Sequence, residues 1–459
     1  MKYLTLIVSL LLVTAGYAQS VTISGSQKDI LEITPEKNTG LDAVFISYNG
    51  DGLSAEFVCP GTYVPKWYRY SNLGGGFAEE INTAVSSSGR STLEGIQPGY
   101  GYIVEYGDNR YYFYLIDYSL HRLTLTSLEA AAEQDCTSTI LNLEAKGEPL
   151  TYYTINGQQR SLDRGLMLEY NTEEWNESSK TFEKISATHS IANVSERIIL
   201  TPPVYSNTFF TLKGDKFLQA WNEEQSIESP AFNPVAIDIH VNAEQVKKSD
   251  DITDDNDSSD VPSNEIKGDG SDLGGSAPAE INFTAECTEA VVFQEWQMAS
   301  DAEFENITYR LTGKDLNYTF TQEGTVYVRF AAGNNDGSCE MYSDPFTVSV
   351  GATELYCPNA FSPGASEGVN DEWKVSYKSL IDFQCWIFDR YGTQMCYFDD
   401  PSKGWDGKYR GKLVKPGVYY YVIQATGSDG KKIKKSGDIN IIRYRMYSTG
   451  NENGGDATE

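Results

Sequence analysis

Short apolar runs, some alternating with polar residues and some continuous, follow one another from Val21 onward, with turn-forming residues between them. Few stretches carry a helical period, so the pattern predicts strands joined by turns. Between Val21 and Leu128 the runs 43–48, 55–59, 66–70 and 111–118 read as strands, and Asn49-Gly50-Asp51-Gly52 reads as a turn. An immunoglobulin-like sandwich over 19–130 fits this spacing, with Cys59 and Trp67 on neighbouring core strands. A second β domain is expected over 131–246, from the runs 139–143, 150–155, 166–170, 197–200 and 208–212. Asn156-Gly157 is the expected hairpin turn in that domain, and Pro202-Pro203 forbids a continuous central strand there.

The pattern stops at 247–277. This segment is acidic, then rich in Gly and Ser, and almost free of large apolar residues, so it reads as a disordered linker. Asp250, Asp251, Asp254, Asp255 and Asp257 raise the thought of calcium, but their spacing does not fit an EF-hand and the central Gly is missing. Strand runs resume over 278–352, with Phe283, Trp296, 318–332 and 346–350. The stretch holding Gly324 and Tyr327 resembles a PKD-type Ig-like domain.

The last ninety or so residues are punctuated differently. Phe388-Asp389-Arg390-Tyr391-Gly392 lies between two apolar runs and predicts a hairpin closed by Gly392 in the left-handed region. Trp405-Asp406-Gly407 is a second turn. Pro416-Gly417 introduces the strand run 418–425, Asp429-Gly430 turns the chain again, and 437–443 closes the domain. Asn370 and Asp371 are expected to fix the 362–371 loop through backbone hydrogen bonds. The order of Asn359, Phe361, Pro363, Gly368, Asn370, Asp371, Arg390, Gly392, Trp405, Asp406, Gly407, Gly417, Tyr419, Gly437 and Arg443 resembles the gliding motility-associated C-terminal domain, the type B sorting domain of type IX secretion. That resemblance implies a sorting β-sandwich over 353–445, with 446–459 as a disordered tail. It further implies recognition by the type IX outer-membrane machinery and a secreted or cell-surface destination.

Composition narrows the function classes. The chain has 459 residues, with 31 Tyr, 40 Gly and 6 Met, which leans towards an all-β array of several domains. A net charge of −29 argues against nucleic-acid binding by bulk electrostatics. Residues 1–18 read as a secretory signal peptide cut before Gln19, with no later segment long enough to span a membrane. Between Lys403 and Arg445 basic residues dominate locally. They either keep edge strands soluble or form a docking face for an acidic partner.

After export the cysteines can pair. Cys287 and Cys339, with Trp296 between them, approach immunoglobulin spacing. Cys385 and Cys396 flank the Gly392 hairpin and are expected to bridge it. Cys59 and Cys136 form a possible third pair, which leaves Cys357 over. No CxxC pair, Gly-x-Ser-x-Gly elbow or His-Glu-x-x-His motif occurs, so no catalytic residue, metal site or cofactor is expected. Carboxylate pairs of a secreted hydrolase remain an alternative. Another is a glycan-binding module in which Trp67, Tyr68, Tyr70, Tyr111, Tyr112 and Tyr114 stack on sugars rather than fill a core. The leading expectation is an exported, non-catalytic protein whose Ig-like domains bind a surface glycan or protein.

Overall fold

The apolar alternation is expressed as strands along nearly all of the chain that this computed structural model describes, residues 19–74, 76–246, 264–266, 273–365 and 370–442. The expected signal segment, most of the expected linker with its calcium candidates, Gly368, Arg443 and the tail lie outside the described residues. Two compact units are present. One holds residues up to 174 together with 183–236; the other holds 175–182 together with those from 237 on.

The first unit opens with a sandwich. One sheet pairs Ser20–Ser24, Ser54–Val58, Arg90–Glu94 and Val85–Ser87 in that order. The facing six-stranded sheet runs Leu31–Ile33, Ala43–Ser47, Asn109–Asp117, Tyr100–Tyr106, Lys66–Tyr70, Glu79–Ile81. Cys59 therefore follows a strand of one sheet while Trp67 lies within a strand of the other, rather than on neighbouring strands. Trp67 packs edge-on to Phe57 across the core and donates its indole N–H to the Ser91 hydroxyl at 2.8 Å.

Ala43–Ser47 is buried at every position. A continuous apolar run of this kind requires cover on both faces, and the structure supplies it. Ala43 and Phe45 point into the sandwich, while Val44 and Ile46 join Tyr114 and Ile116 in a second core. That second core also holds Leu141, Leu143, Leu168, Phe210 and Leu212 from the following domain. The first two domains thus share apolar packing instead of standing as separate beads.

The following domain sets Thr124–Ala130, Thr139–Lys146 and Arg197–Leu200 against the sheet Thr181–Ile191, Leu166–Asn176, Thr211–Gly214, Gln225–Glu228. Its one short helix, Lys216–Ala220, is capped by Asp215, whose carboxylate accepts from the Leu218 N–H. The same carboxylate meets Arg164 at 2.5 Å, with both side chains fully buried, and accepts from the Tyr118 hydroxyl at 3.0 Å.

In the second unit, Ile239–Gln245 pairs along its whole length with Ala279–Cys287, and Asp315–Phe320 completes that sheet. The expected boundary at 246 is therefore wrong for this strand, which belongs to the third sandwich. The expected linker is corrected as well. Leu273–Gly275 forms a parallel strand against Phe346–Val350, and Asn264 holds the carbonyls of Val375 and Pro401 in the terminal domain. The described chain leaves one sheet at Gln245 and enters the opposite one at Leu273; composition marks the polarity between them but not where the ends attach.

The opposite sheet of the third sandwich runs Leu273–Gly275, Phe346–Val350, Gly324–Gly333, Phe293–Ala299, Ile307–Thr312. The terminal domain is built on a five-stranded sheet in the order Ala360–Phe361, Lys432–Ile441, Gly417–Gly427, Leu380–Phe388, Gln394–Phe398.

Candidate functional site

The residues singled out in the terminal domain act mostly as braces. Ala360–Phe361 runs parallel to Lys432–Ile441, the last described strand, and the Asn359 carbonyl accepts from the backbone and side-chain nitrogens of Asn440 at 2.8 and 3.1 Å. Phe361 is buried against Trp405, with ring centroids 5.6 Å apart, and Trp405 meets Tyr419 at 5.2 Å. The Tyr419 hydroxyl donates to the Lys415 carbonyl at 2.9 Å. Trp405 lies opposite Trp373 across a short strand pair and donates its indole N–H to the Lys408 carbonyl.

Two glycines are demanded by close approach. A Cβ on Gly407, which has φ +70°, would come within 2.9 Å of the buried Pro363. Gly437 lies opposite Tyr421, and a Cβ there would meet the Tyr421 hydroxyl at 2.7 Å. Both positions let an aromatic or proline ring lie flat against the backbone. Gly417 begins the central strand.

The loops are closed by carboxylates on backbone amides. Asp371 Oδ1 accepts from Gly364 N at 2.8 Å, and Asn370, with φ +56°, offers its carbonyl to Ser362 N. Asp406 takes the Lys408 backbone N–H at 3.0 Å and its ammonium at 2.7 Å. In the hairpin, Asp389 Oδ1 accepts from Thr393 N and Tyr391 N, both at 2.8 Å, and Gly392 closes the turn at φ +85°. The Thr393 amide, then that of Tyr391, holds the Asp389 carboxyl below the usual carboxylate range. Arg390 is the exception to bracing. It is exposed, lies over the Tyr391 ring at 5.5 Å, and has no ion pair among the described residues.

The cysteines depart from expectation. Cys136 and Cys339 are disulfide-bonded, whereas Cys59, Cys287, Cys357, Cys385 and Cys396 carry free thiols. The expected pairs Cys59–Cys136, Cys287–Cys339 and Cys385–Cys396 are therefore not formed. Cys287 sits opposite Ile239 in one sheet of the third sandwich, while Cys339 immediately precedes Glu340–Tyr342 of the other sheet. Across the Gly392 hairpin a register shift places Cys385 opposite Phe398 and Cys396 opposite Ile387, so the two thiols are offset by two residues along the ladder. Burial raises the Cys385 thiol pKa and pushes Cys287 up to about 11. Both are protonated and unreactive near neutral pH.

The aromatic residues considered for sugar stacking are core instead. Trp67, Tyr70, Tyr111 and Tyr114 are buried, and Tyr68 and Tyr112 are half-buried on the same sheet. Among the described residues, no group of three or more His, Cys, Asp or Glu could hold a metal ion. No helix of the described residues is long and apolar enough to cross a membrane. Sequence reasoning missed the outward half of Gly417–Gly427, where Val418, Tyr420 and Val422 face solvent while Tyr419, Tyr421 and Ile423 are buried.

These features define an all-β protein of tandem Ig-like sandwiches ending in a braced β domain. Residues 355–441 match the type IX secretion signal domain, and residues 128–229 match the fibronectin type III domain. The chain thus carries a secretion signal domain of that family at its C-terminal end. No curated protein matches the chain. Among solved structures, it is similar to the fibronectin(III)-like modules of Clostridium thermocellum CbhA at 11% identity and TM-score 0.17, covering 43% of this chain and 98% of that one. It is also similar to the N-terminal eight Ig domains of Down Syndrome Cell Adhesion Molecule, at 10% identity and TM-score 0.21. That match covers 86% of this chain and 48% of the other, so the chain spans about half of its length.

Proposed function

We propose that this protein is a non-catalytic cargo of type IX secretion, delivered to the cell surface or the medium, and that residues 353–445 are its address. On this reading residues 1–18 are a leader removed before Gln19. The Ig-like domains, including a PKD-like third sandwich, present an interaction surface to a glycan or protein. The observation that carries the reading is the coincidence of the matched signal domain with a self-contained brace. Its named residues close loops and fill a core around Trp373 and Trp405 instead of converging on a reactive group. The raised thiol pKa values supply no cysteine nucleophile.

Deleting residues 355–459 tests the proposal in the exporting cell. The expected outcome is a folded chain retained in the periplasm, with none at the surface or in the medium. Equal surface and medium amounts with and without the domain would refute it.

A further inference from the structure

We infer that the Arg390 end of the five-stranded sheet is the docking surface of the terminal domain, and that it accepts a protein partner with carboxylates around an apolar centre. This inference rests on reading the domain as a secretion signal.

The register brings the surface together. Phe388 pairs with Tyr420 in antiparallel strands, so Arg390, two residues past Phe388, and Val418, two before Tyr420, lie at the same end of the sheet. Lys415 sits just ahead of Val418, held there by its carbonyl on Tyr419. Lys412 is exposed on the short strand before it. The apolar centre is unusual for a solvated sheet face, where the outward half of the alternation is normally polar. Tyr391 is 82% exposed, and Val418 and Tyr420 are each 45% exposed. Contiguous exposed apolar groups rimmed by charge mark interaction sites.

Three cations, Arg390, Lys412 and Lys415, gather at this end beside the carboxylates of Asp389 and Asp438. Arg390, Lys412 and Lys415 form no salt bridge among the described residues, whereas Lys403, Lys408 and Lys431 in the same domain are paired with Asp400, Asp406 and Asp429. The nearby acids are already engaged. Asp389 is taken by backbone amides, and Asp438, opposite Tyr420, accepts from the Asn440 side chain at 2.8 Å. Unpaired cations around exposed aromatic rings complement an acidic partner and set the docking register. On a chain of net charge −29 this end is locally basic. Arg390 itself makes no salt bridge among the described residues and lies over the Tyr391 ring.

The full-length chain carrying R390E and K415E, and separately one carrying Y391S and Y420S, are expressed in the exporting cell beside the deletion of 355–459. The control is K432E with K434E, at the opposite end of the same strands. Both surface variants are expected to fall at least tenfold in exported protein and to accumulate in the periplasm as protease-resistant, folded chains. The Lys432/Lys434 control is expected to export normally. Normal export of the surface variants beside a retained deletion would overturn the docking surface while leaving the signal reading standing. Normal export of the deletion itself would overturn the signal reading. Equal loss in the control would show a bulk charge effect and overturn the inference. Self-association of the purified chain that Y391S/Y420S abolishes would make a second copy the occupant and overturn it as well.

Discussion

At the scale of single residues, the most consequential group in the first unit is Asp215. Its carboxylate neutralises Arg164, caps Lys216–Ala220 and receives the Tyr118 hydroxyl, all without access to water. Arg164 also donates to the carbonyls of Glu148, at 2.6 Å, and His121. Breaking such a buried pair from one side leaves an uncompensated charge, which costs about 3–5 kcal/mol. Asp215→Ala is therefore expected to lower the unfolding free energy of the unit by that amount, read from the urea transition followed by the fluorescence of Trp221, which closes the same helix. A loss below about 1 kcal/mol would mean that water reaches Arg164. Nothing in the sequence marks this pair, because its members lie 51 residues apart. Residue type was equally mute about the aromatics of 66–70 and 111–118. A tyrosine-rich strand looks the same whether its rings meet sugar or, as for Phe113 and Tyr102 stacked at 5.2 Å, each other.

At the scale of elements, the Leu380–Phe388 and Gln394–Phe398 hairpin shows what local pattern can and cannot specify. The apolar runs and Gly392 foretold the hairpin, and Arg197–Leu200 and Lys66–Tyr70 were legible in the same way. The register was not legible: the turn and one extra residue near Met395 together set Cys396 opposite Ile387, two residues along the ladder from Cys385. Leu273–Gly275 was hidden for a related reason: backbone bonds to Phe346–Val350, rather than side-chain burial, define it. The hairpin also carries a pH signature. The Asp389 carboxyl is held below its ordinary pKa by the amides of Thr393 and Tyr391. The stability it adds is present above the ordinary carboxylate pKa and is lost as pH falls through the depressed one. Hydrogen–deuterium exchange of the hairpin peptide in wild type and Asp389→Ala should differ at about neutral pH and converge near about pH 2. A difference that persists in acid would show that another group closes the turn.

At the scale of the whole molecule, the all-β class was readable from turn punctuation, but which strands share a sandwich was set by long-range pairing. Val44 and Ile46 tie the first domain to the core of the second, and Ile239–Gln245 belongs to the sandwich that follows it. The terminal domain shows the same principle. An early strand, Ala360–Phe361, has as its partner the last described strand, Lys432–Ile441, which also carries the central Gly417–Gly427 on its other side. The chain must therefore be synthesised through Ile441 before Ala360–Phe361 can be seated. A chain that stops short of Ile441 lacks the partner that seats Ala360–Phe361 against the sheet. Nested C-terminal truncations should accordingly lose export abruptly once they cut into Lys432–Ile441, with a gradual decline counting against this reading.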